Sequence, residues 1–140
     1  MRFADKLLTD FLREIYTRAA LTEIALVVSL IYVERLKKVL TNMARGEPDT
    51  PFRIFLSALL AATKFLHEDG SGLNRTFASI TNGYYTLADI NTMERSFLGL
   101  LQFGLLVTEQ DLIDYIQLHE QELKGLDLLP MLRNANQHHH

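Results

Sequence analysis

Hydrophobic residues recur at helical spacing along almost the whole of this chain. In the first segment Phe3, Leu7, Phe11 and Ile15 follow one another every four residues. Positions four apart lie on one face of a helix, so this spacing predicts an amphipathic first helix. No segment shows the sustained alternation of polar and apolar residues that a half-buried strand requires. The pattern therefore predicts an all-α fold, with five or six helices around one buried helix.

The second segment is hydrophobic on nearly every side, and we expect it to be that buried helix. Residues 24–33 carry no charge, and a helix that is apolar all round is normally covered on several sides. Thr22 precedes it as a hydroxyl N-cap, and Glu23 lies in the first turn, where the helix dipole favours an acid. The charged residues within 34–38 indicate that the helix then emerges into solvent.

Turn and capping residues divide the middle of the chain. Residues 42–49 contain a glycine and a proline without helical periodicity, which predicts a loop. A third helix is expected from Thr50-Pro51 to about Asp69, because a capping hydroxyl followed by proline is typical of a helix start. The Gly-Ser-Gly sequence at 70–72 should end this helix.

A short fourth helix is predicted over residues 75–81. Asn74 is its expected N-cap, because a short polar side chain at this position can accept from the free N–H groups of the first turn. The Asn-Gly pair at 82–83 is a turn sequence and should end the helix.

Two Thr-x-x-Asp sequences mark the starts of the last two helices. In this capping-box pattern the hydroxyl and the carboxylate each accept from the backbone N–H of the other residue. The sequence beginning at Thr86 opens a fifth helix, predicted over 87–107 and interrupted near Gly104. The sequence beginning at Thr108 opens a sixth helix, which Gly125 closes.

The length and hydrophobic content favour one domain with one core. The chain has 140 residues, of which 48% are hydrophobic. We expect a single domain over residues 3–125, followed by a loosely docked tail at 126–137. The three histidines at 138–140 resemble the start of a purification tag and are excluded from the chemistry.

Charge and cysteine content exclude several classes of partner. The net charge is −3, and no basic run exceeds Lys37-Lys38, so electrostatic attraction to nucleic acid or to an anionic membrane is not indicated. The apolar run at 24–33 is too short to cross a bilayer, so no transmembrane segment is expected. The absence of cysteine fits a reducing, intracellular compartment. Cytoplasm and nucleus stay undecided, as does a membrane anchor in a region that precedes this sequence.

Three short sequences suggest enzyme chemistry, and none of them completes a known pattern. His119-Glu120 lacks the second histidine of a zinc-protease helix. The His-Glu-Asp sequence at 67–69 is typical of a solvated helix end, and the glycines at 70–72 lack the Lys-Ser/Thr half of a phosphate-binding loop. We therefore expect neither catalytic residues nor a cofactor nor a metal site.

Glu94 is an acidic residue in the middle of an apolar arc. On a helical projection it lies among five hydrophobic residues of the fifth helix: Leu87, Ile90, Phe97, Leu98 and Leu101. Removing a carboxylate from water is costly unless a cation or hydrogen-bond donors compensate for it. Two sources are possible: hydrogen bonds from a helix end within the domain, or a cation on a neighbouring helix.

Lys64 on the third helix is the candidate cation. It shares a side of that helix with Glu68, which favours a solvated surface and a Lys64–Glu68 pair worth a few tenths of a kcal/mol. Leu60 and Ala61 interrupt that surface and make it less polar. The other interpretation, that Lys64 reaches Glu94, follows from the requirement of Glu94 for a partner.

Three segments carry residue patterns of one known family. The second predicted helix ends with Tyr-Val-Glu-Arg-Leu at 32–36, the third contains LLAATKFLHED at 59–69, and the fifth contains INTMERSFLGLLQFGLLV at 90–107. With the order of five helices and the buried second helix, these segments resemble the cyclin box over residues 3–118. The chain looks most like cyclin Y and the phosphate-regulon (P/U-type) cyclins.

The resemblance implies a regulatory subunit that binds and activates a cyclin-dependent kinase by docking its regulatory C-helix. Lys64 would bond backbone carbonyls beside that helix, and Glu94 would orient the lysine and accept from backbone donors. Four hydrophobic residues would surround the pair: Phe65, Leu98, Phe103 and Leu105. The implied kinase is PCTAIRE/PFTAIRE-like or phosphate-regulon-like, and the free protein is expected to be a monomer.

The chain also departs from the family pattern. Ala61 stands where many cyclins carry a larger side chain, which implies a weaker or retuned kinase contact. The Arg-and-Trp signature of the first helix in mitotic cyclins is absent, as is a second cyclin box, so substrate docking there is not expected. Two rival functions are a scaffold or self-associating adaptor of cyclin fold without kinase activation, and a helical adaptor in which Lys64 is free.

Overall fold

The computed structural model describes residues 3–18, 22–39, 50–67, 72–102 and 104–125. The loop predicted at 42–49, the tail at 126–137 and the histidines at 138–140 lie outside these residues. The described residues form no strand and seven helices: α1 Phe3–Arg18, α2 Glu23–Val39, α3 Thr50–Leu66, α4 Leu73–Ile80, α5 Leu87–Leu100, α6 Glu109–Leu118 and α7 Glu120–Gly125. The all-α prediction is confirmed.

Helix α2 lies at the centre of the bundle, as its uniform hydrophobicity predicts. Its residues 25–29 and 31–33 are all buried, and six of these eight take part in three hydrophobic clusters formed with the surrounding helices. The Thr22 hydroxyl accepts from the backbone N–H of Ala25 at 3.1 Å, which confirms the predicted N-cap. Lys37 and Lys38 are exposed at the other end.

Helix α3 makes the most extensive contact with α2. Ala58 and Ala62 are completely buried against Val28 and Tyr32 in one hydrophobic cluster. Because an alanine adds only a methyl group, the two helix backbones can approach closely here. Helix α3 ends at Leu66, three residues before the predicted end at Asp69, which lies outside the described residues.

Helix α4 begins earlier than predicted. Gly72, with φ of 76°, occupies the N-cap position, and the helix runs from Leu73 to Ile80. The prediction that Asn74 caps a helix over 75–81 is therefore wrong. Gly72 can adopt this left-handed conformation without steric cost, so the helix starts directly after it. The side chain of Asn74 is left available for contacts with another helix.

Helix α5 begins as predicted and ends earlier. Thr86 and Asp89 form a complete capping box. The predicted run over 87–107 is wrong beyond Leu100, because Gln102 has φ of 53° and residues 104–108 are not helical. Gly104 fits this turn closely, since a Cβ there would lie 3.1 Å from the Leu101 carbonyl oxygen.

The predicted sixth helix is divided into two. Thr108 and Asp111 form the expected capping box, which opens α6. His119 interrupts the helix, and α7 continues to Gly125, so the single helix predicted from 108 to 125 is only partly correct. Leu112 and Ile116 pack towards α2. Among the described helices, none is both long and apolar enough to cross a membrane.

Candidate functional site

Helices α3 and α5 pack side by side and bring Lys64 next to Glu94. Lys64 lies in the last turn of α3, and Glu94 lies near the middle of α5. The α5 face around Glu94 is anchored in the core by Ile90, Met93 and Phe97, all of which are buried. The apolar arc predicted from the sequence is therefore largely the packed face of α5. The position predicted for Glu94 in the middle of this arc is wrong, because the half-buried Glu94 lies at the margin of the packed face.

The two side chains form an ion pair in which both carboxylate oxygens take part. The Lys64 Nζ lies 3.0 Å from Oε1 and 2.8 Å from Oε2 of Glu94. The Glu94 side chain is 13% exposed and the Lys64 side chain is 32% exposed. Of the two interpretations of Lys64, the pairing with Glu94 is confirmed. The partner of the alternative pair, Glu68, lies outside the described residues.

A third residue, from α4, completes the environment of the carboxylate. The Asn74 Nδ2 donates to Oε1 of Glu94 at 3.1 Å and to Oδ1 of Asn91 at 2.7 Å. Asn91 and Glu94 are three residues apart on one face of α5, so a single amide can reach both. Sequence reasoning missed this contact because it assigned Asn74 to a helix cap. The spacing of Asn91 and Glu94 was the available signal.

The hydrophobic residues predicted around the pair differ in exposure. Phe65 follows Lys64 directly and is 39% exposed. Leu98 lies one turn beyond Glu94, and it packs with Leu105 against the cluster between α2, α3 and α5, where both stay half-buried. Phe103 lies outside the described residues. Ala61, one turn before Lys64, is buried.

The arrangement can bind a hydrogen-bond acceptor rather than carry out a reaction. A lysine ammonium has three N–H donors, and two of them suffice for the two oxygens of Glu94. The third can meet an acceptor that approaches from solvent. Phe65, the next residue of α3, is partly exposed and adds apolar surface at the same end of the helix. No group of three or more potential metal ligands occurs among the described residues.

Comparison with known proteins gives the family of this chain. Residues 4–106 match the family model described as the N-terminal domain of cyclins. The chain belongs to the cyclin family. The resemblance to a cyclin box that was drawn from the sequence motifs is thereby confirmed, and the all-helical architecture agrees with it. No solved structure matches this cyclin.

Three curated relatives of this cyclin come from Saccharomyces cerevisiae. PHO85 cyclin-1 is 41% identical over 112 residues, which cover 80% of this chain and 36% of that protein. PHO85 cyclin-9 is 31% identical over 76% of the chain and 35% of its own length. PHO85 cyclin-2 is 30% identical over 76% of the chain and 34% of its own length. The cyclin thus resembles the phosphate-regulon group, and it spans about a third of the length of these relatives.

Proposed function

We propose that this cyclin binds a cyclin-dependent protein kinase through the surface around Lys64 and Glu94 and thereby activates the kinase. The observation that carries the proposal is the ion pair between α3 and α5, with its carboxylate nearly buried and its ammonium partly exposed. Such a pair presents a fixed cation at the surface, and Glu94 is the acceptor that the described residues provide for its donors. A structural ion pair would not need to keep a donor accessible.

The chemistry of the site fits the end of a helix in the partner. The last carbonyls of a helix have no hydrogen-bond partner within that helix, and an ammonium can satisfy them. Glu94 holds the ammonium in place through both carboxylate oxygens. Phe65, Leu98 and Leu105 would supply apolar contact along the same surface, and Phe103 is expected to join them.

The activation step follows from how protein kinases work. Phosphoryl transfer requires an ion pair between a lysine and a glutamate on the regulatory helix of the kinase. Docking against that helix would press it inward and complete the pair. The cyclin would then be a regulatory subunit with no active site of its own. The expected kinase resembles those of the phosphate regulon or the PCTAIRE/PFTAIRE type. We therefore expect the cyclin to act inside the cell.

All three yeast cyclins are named after PHO85, so we take PHO85 as the candidate kinase, and binding to recombinant PHO85 tests the proposal. We expect Lys64→Ala and Glu94→Ala each to raise Kd at least about thirtyfold, since losing one member of a hydrogen-bonded charge pair at an interface costs about 2–5 kcal/mol. Kinase activation should fall in parallel. Lys37→Ala and Glu109→Ala, which change exposed charges on α2 and α6, are the matched controls.

Two results would contradict the proposal. The first is wild-type affinity in a folded Lys64→Ala/Glu94→Ala protein. The second is that the wild type does not bind PHO85 and also retains no kinase from source cells, as identified by mass spectrometry. The second result would favour the rival function of a scaffold.

A self-associating adaptor would have a different signature. It would form a dimer in light scattering, and a charge introduced at Phe65 or Leu98 would separate the dimer. A kinase activator is expected to be a monomer when free, with a mass that these substitutions leave unchanged.

A further inference from the structure

Two adjacent backbone carbonyls between α5 and α6 are held by side chains of α2. The Tyr32 hydroxyl donates to the carbonyl of Leu105 at 2.7 Å, and Nη1 of Arg35 donates to the carbonyl of Gly104 at 2.8 Å. These donors are about seventy residues away in sequence from their acceptors. The contact therefore connects the central helix to a segment that has no regular structure of its own.

Arg35 also reaches the start of α6. Its Nη2 lies 3.6 Å from Oδ2 of Asp111, and the same oxygen accepts from the backbone N–H of Thr108 at 2.9 Å. One guanidinium thus contacts Gly104 at the start of the segment 104–108 directly and is connected to Thr108 at its end through Asp111. A planar guanidinium with donors in a fixed fork can connect two acceptors in this way, whereas a lysine provides a single charged centre.

This segment carries Leu105 into the surface described above. Leu105 packs with Leu98 against the cluster that contains Phe97 and Leu101. Residues 105–107 make no backbone–backbone hydrogen bond to another described residue that would fix their conformation. The position of the Leu105 side chain relative to Leu98 consequently depends on how its own carbonyl and that of Gly104 are held.

We infer that Arg35, together with Tyr32, is a positioning residue for kinase binding. It fixes the backbone at 104–105 so that Leu105 extends the apolar surface that begins beside Glu94. The sequence indicates only that the charged end of α2 is a solvated surface, and the positioning of residues 104–105 is an additional role for it. The inference rests on the proposed function, since it assumes that Leu105 contacts the kinase.

A double-mutant cycle in kinase binding separates positioning from general stability. We expect Arg35→Ala and Leu105→Ala each to raise the Kd for PHO85 about tenfold, which corresponds to the loss of part of one buried leucine contact. The double variant should bind no more weakly than Leu105→Ala alone, because Arg35 acts through Leu105. Arg35→Lys should recover only part of the affinity, and Lys37→Ala should bind as the wild type does.

Hydrogen exchange in the free cyclin supplies a readout that needs no kinase. The amides of Gly104 and Thr108 donate to the Leu101 carbonyl at 3.0 Å and to Oδ2 of Asp111 at 2.9 Å. They should exchange about tenfold faster in Arg35→Ala, while Lys37→Ala leaves them unchanged. Tyr32→Phe should accelerate exchange at Gly104 to a smaller degree. Unchanged exchange in folded Arg35→Ala would overturn the positioning role. Independent, multiplicative effects of Arg35→Ala and Leu105→Ala on Kd would also overturn it.

The failure of the proposed function gives a different result. If Lys64→Ala binds normally in the same assay, the kinase-binding surface is wrong, whatever the exchange rates show. If Lys64→Ala loses binding and Arg35→Ala does not, the proposed function stands and the positioning role is rejected.

Discussion

At the scale of single residues, Lys64 and Glu94 combine two properties that an ordinary surface pair lacks. A fully exposed pair contributes little, because water and salt screen it and both side chains lose entropy. A fully buried pair has no free donor left. Here Glu94 is mostly covered and accepts from both Lys64 and Asn74, while Lys64 keeps about a third of its side-chain surface. The Glu94 carboxylate is held in place and the Lys64 ammonium stays accessible.

Asn74 should matter to stability through this network. We expect Asn74→Ala to lower the free energy of unfolding by about 1–2 kcal/mol, because it removes a hydrogen bond to a charged, poorly solvated oxygen. Asn74→Asp should cost more, since a second carboxylate would face Oε1 of Glu94. Urea denaturation measures both. Arg75→Ala, on the exposed side of the same helix, is the control. Equal losses of unfolding free energy in Asn74→Ala and Arg75→Ala would contradict the hydrogen bonds assigned to Asn74.

At the scale of helices, the two capping boxes lower the pKa of their aspartates. In Asp111 the backbone hydrogen bond from Thr108 is the main cause of the lower pKa, the Thr108 side chain adds to it, and nearby Arg35 contributes. The pKa of Asp89 is lowered in the same way by Thr86. Both groups lie at helix N-termini, where the dipole also favours a negative charge.

Lowering the pH should therefore remove the contribution of the Asp111 cap to the stability of the folded state. Its pKa is lower in the folded state than in the unfolded chain, so the stabilisation is complete above about pH 4 and is lost as the pH falls through the lower folded value. We expect Asp111→Asn to lower Tm at pH 7, and the difference from the wild type to shrink as the pH falls below about 4. Asp114→Asn, an exposed substitution on the same helix, is the control. A Tm difference that persists in acid would contradict this explanation.

At the scale of the whole molecule, the close contact between α2 and α3 holds the site in place. The small side chains of Ala58 and Ala62 leave room for Tyr32, whose hydroxyl then reaches the segment after α5. Burial raises the pKa of Tyr32 to about 12, although neighbouring Arg35 acts in the opposite direction. The hydroxyl therefore remains a donor throughout the physiological range. Packing in the core thus determines a contact at the surface.

Overpacking this contact should destabilise the domain. We expect Ala62→Leu to lower the free energy of unfolding by about 1–3 kcal/mol, because the helices would have to separate to admit three more carbon atoms. Ala88→Leu adds the same atoms at an exposed position of α5 and is the control. Thermal denaturation of both variants tests this expectation. An Ala62→Leu protein as stable as the wild type would show that the contact is looser than described.

The sequence was sufficient for features that depend on neighbouring residues. The caps at Thr22, Thr86 and Thr108 are confirmed, because each depends on one side chain and the N–H groups two or three residues later. The buried position of α2 was also predictable, since residues 24–33 offer no charged surface to solvent. Helix ends were less predictable. Helix α5 ends at Leu100 and not near Val107. The residues between these two positions are mostly apolar, and such a run does not indicate whether the helix continues or ends.

The sequence by itself determined the all-α class, the central helix and the need of Glu94 for a partner, because hydrophobic spacing and the cost of burying a charge are local properties. Only the tertiary structure decided that Lys64 meets this need, that Asn74 assists it, and that Arg35 holds the segment carrying Leu105. Each of these contacts joins residues between 17 and 69 positions apart in sequence. Such pairs are selected by how helices pack, which no local pattern specifies.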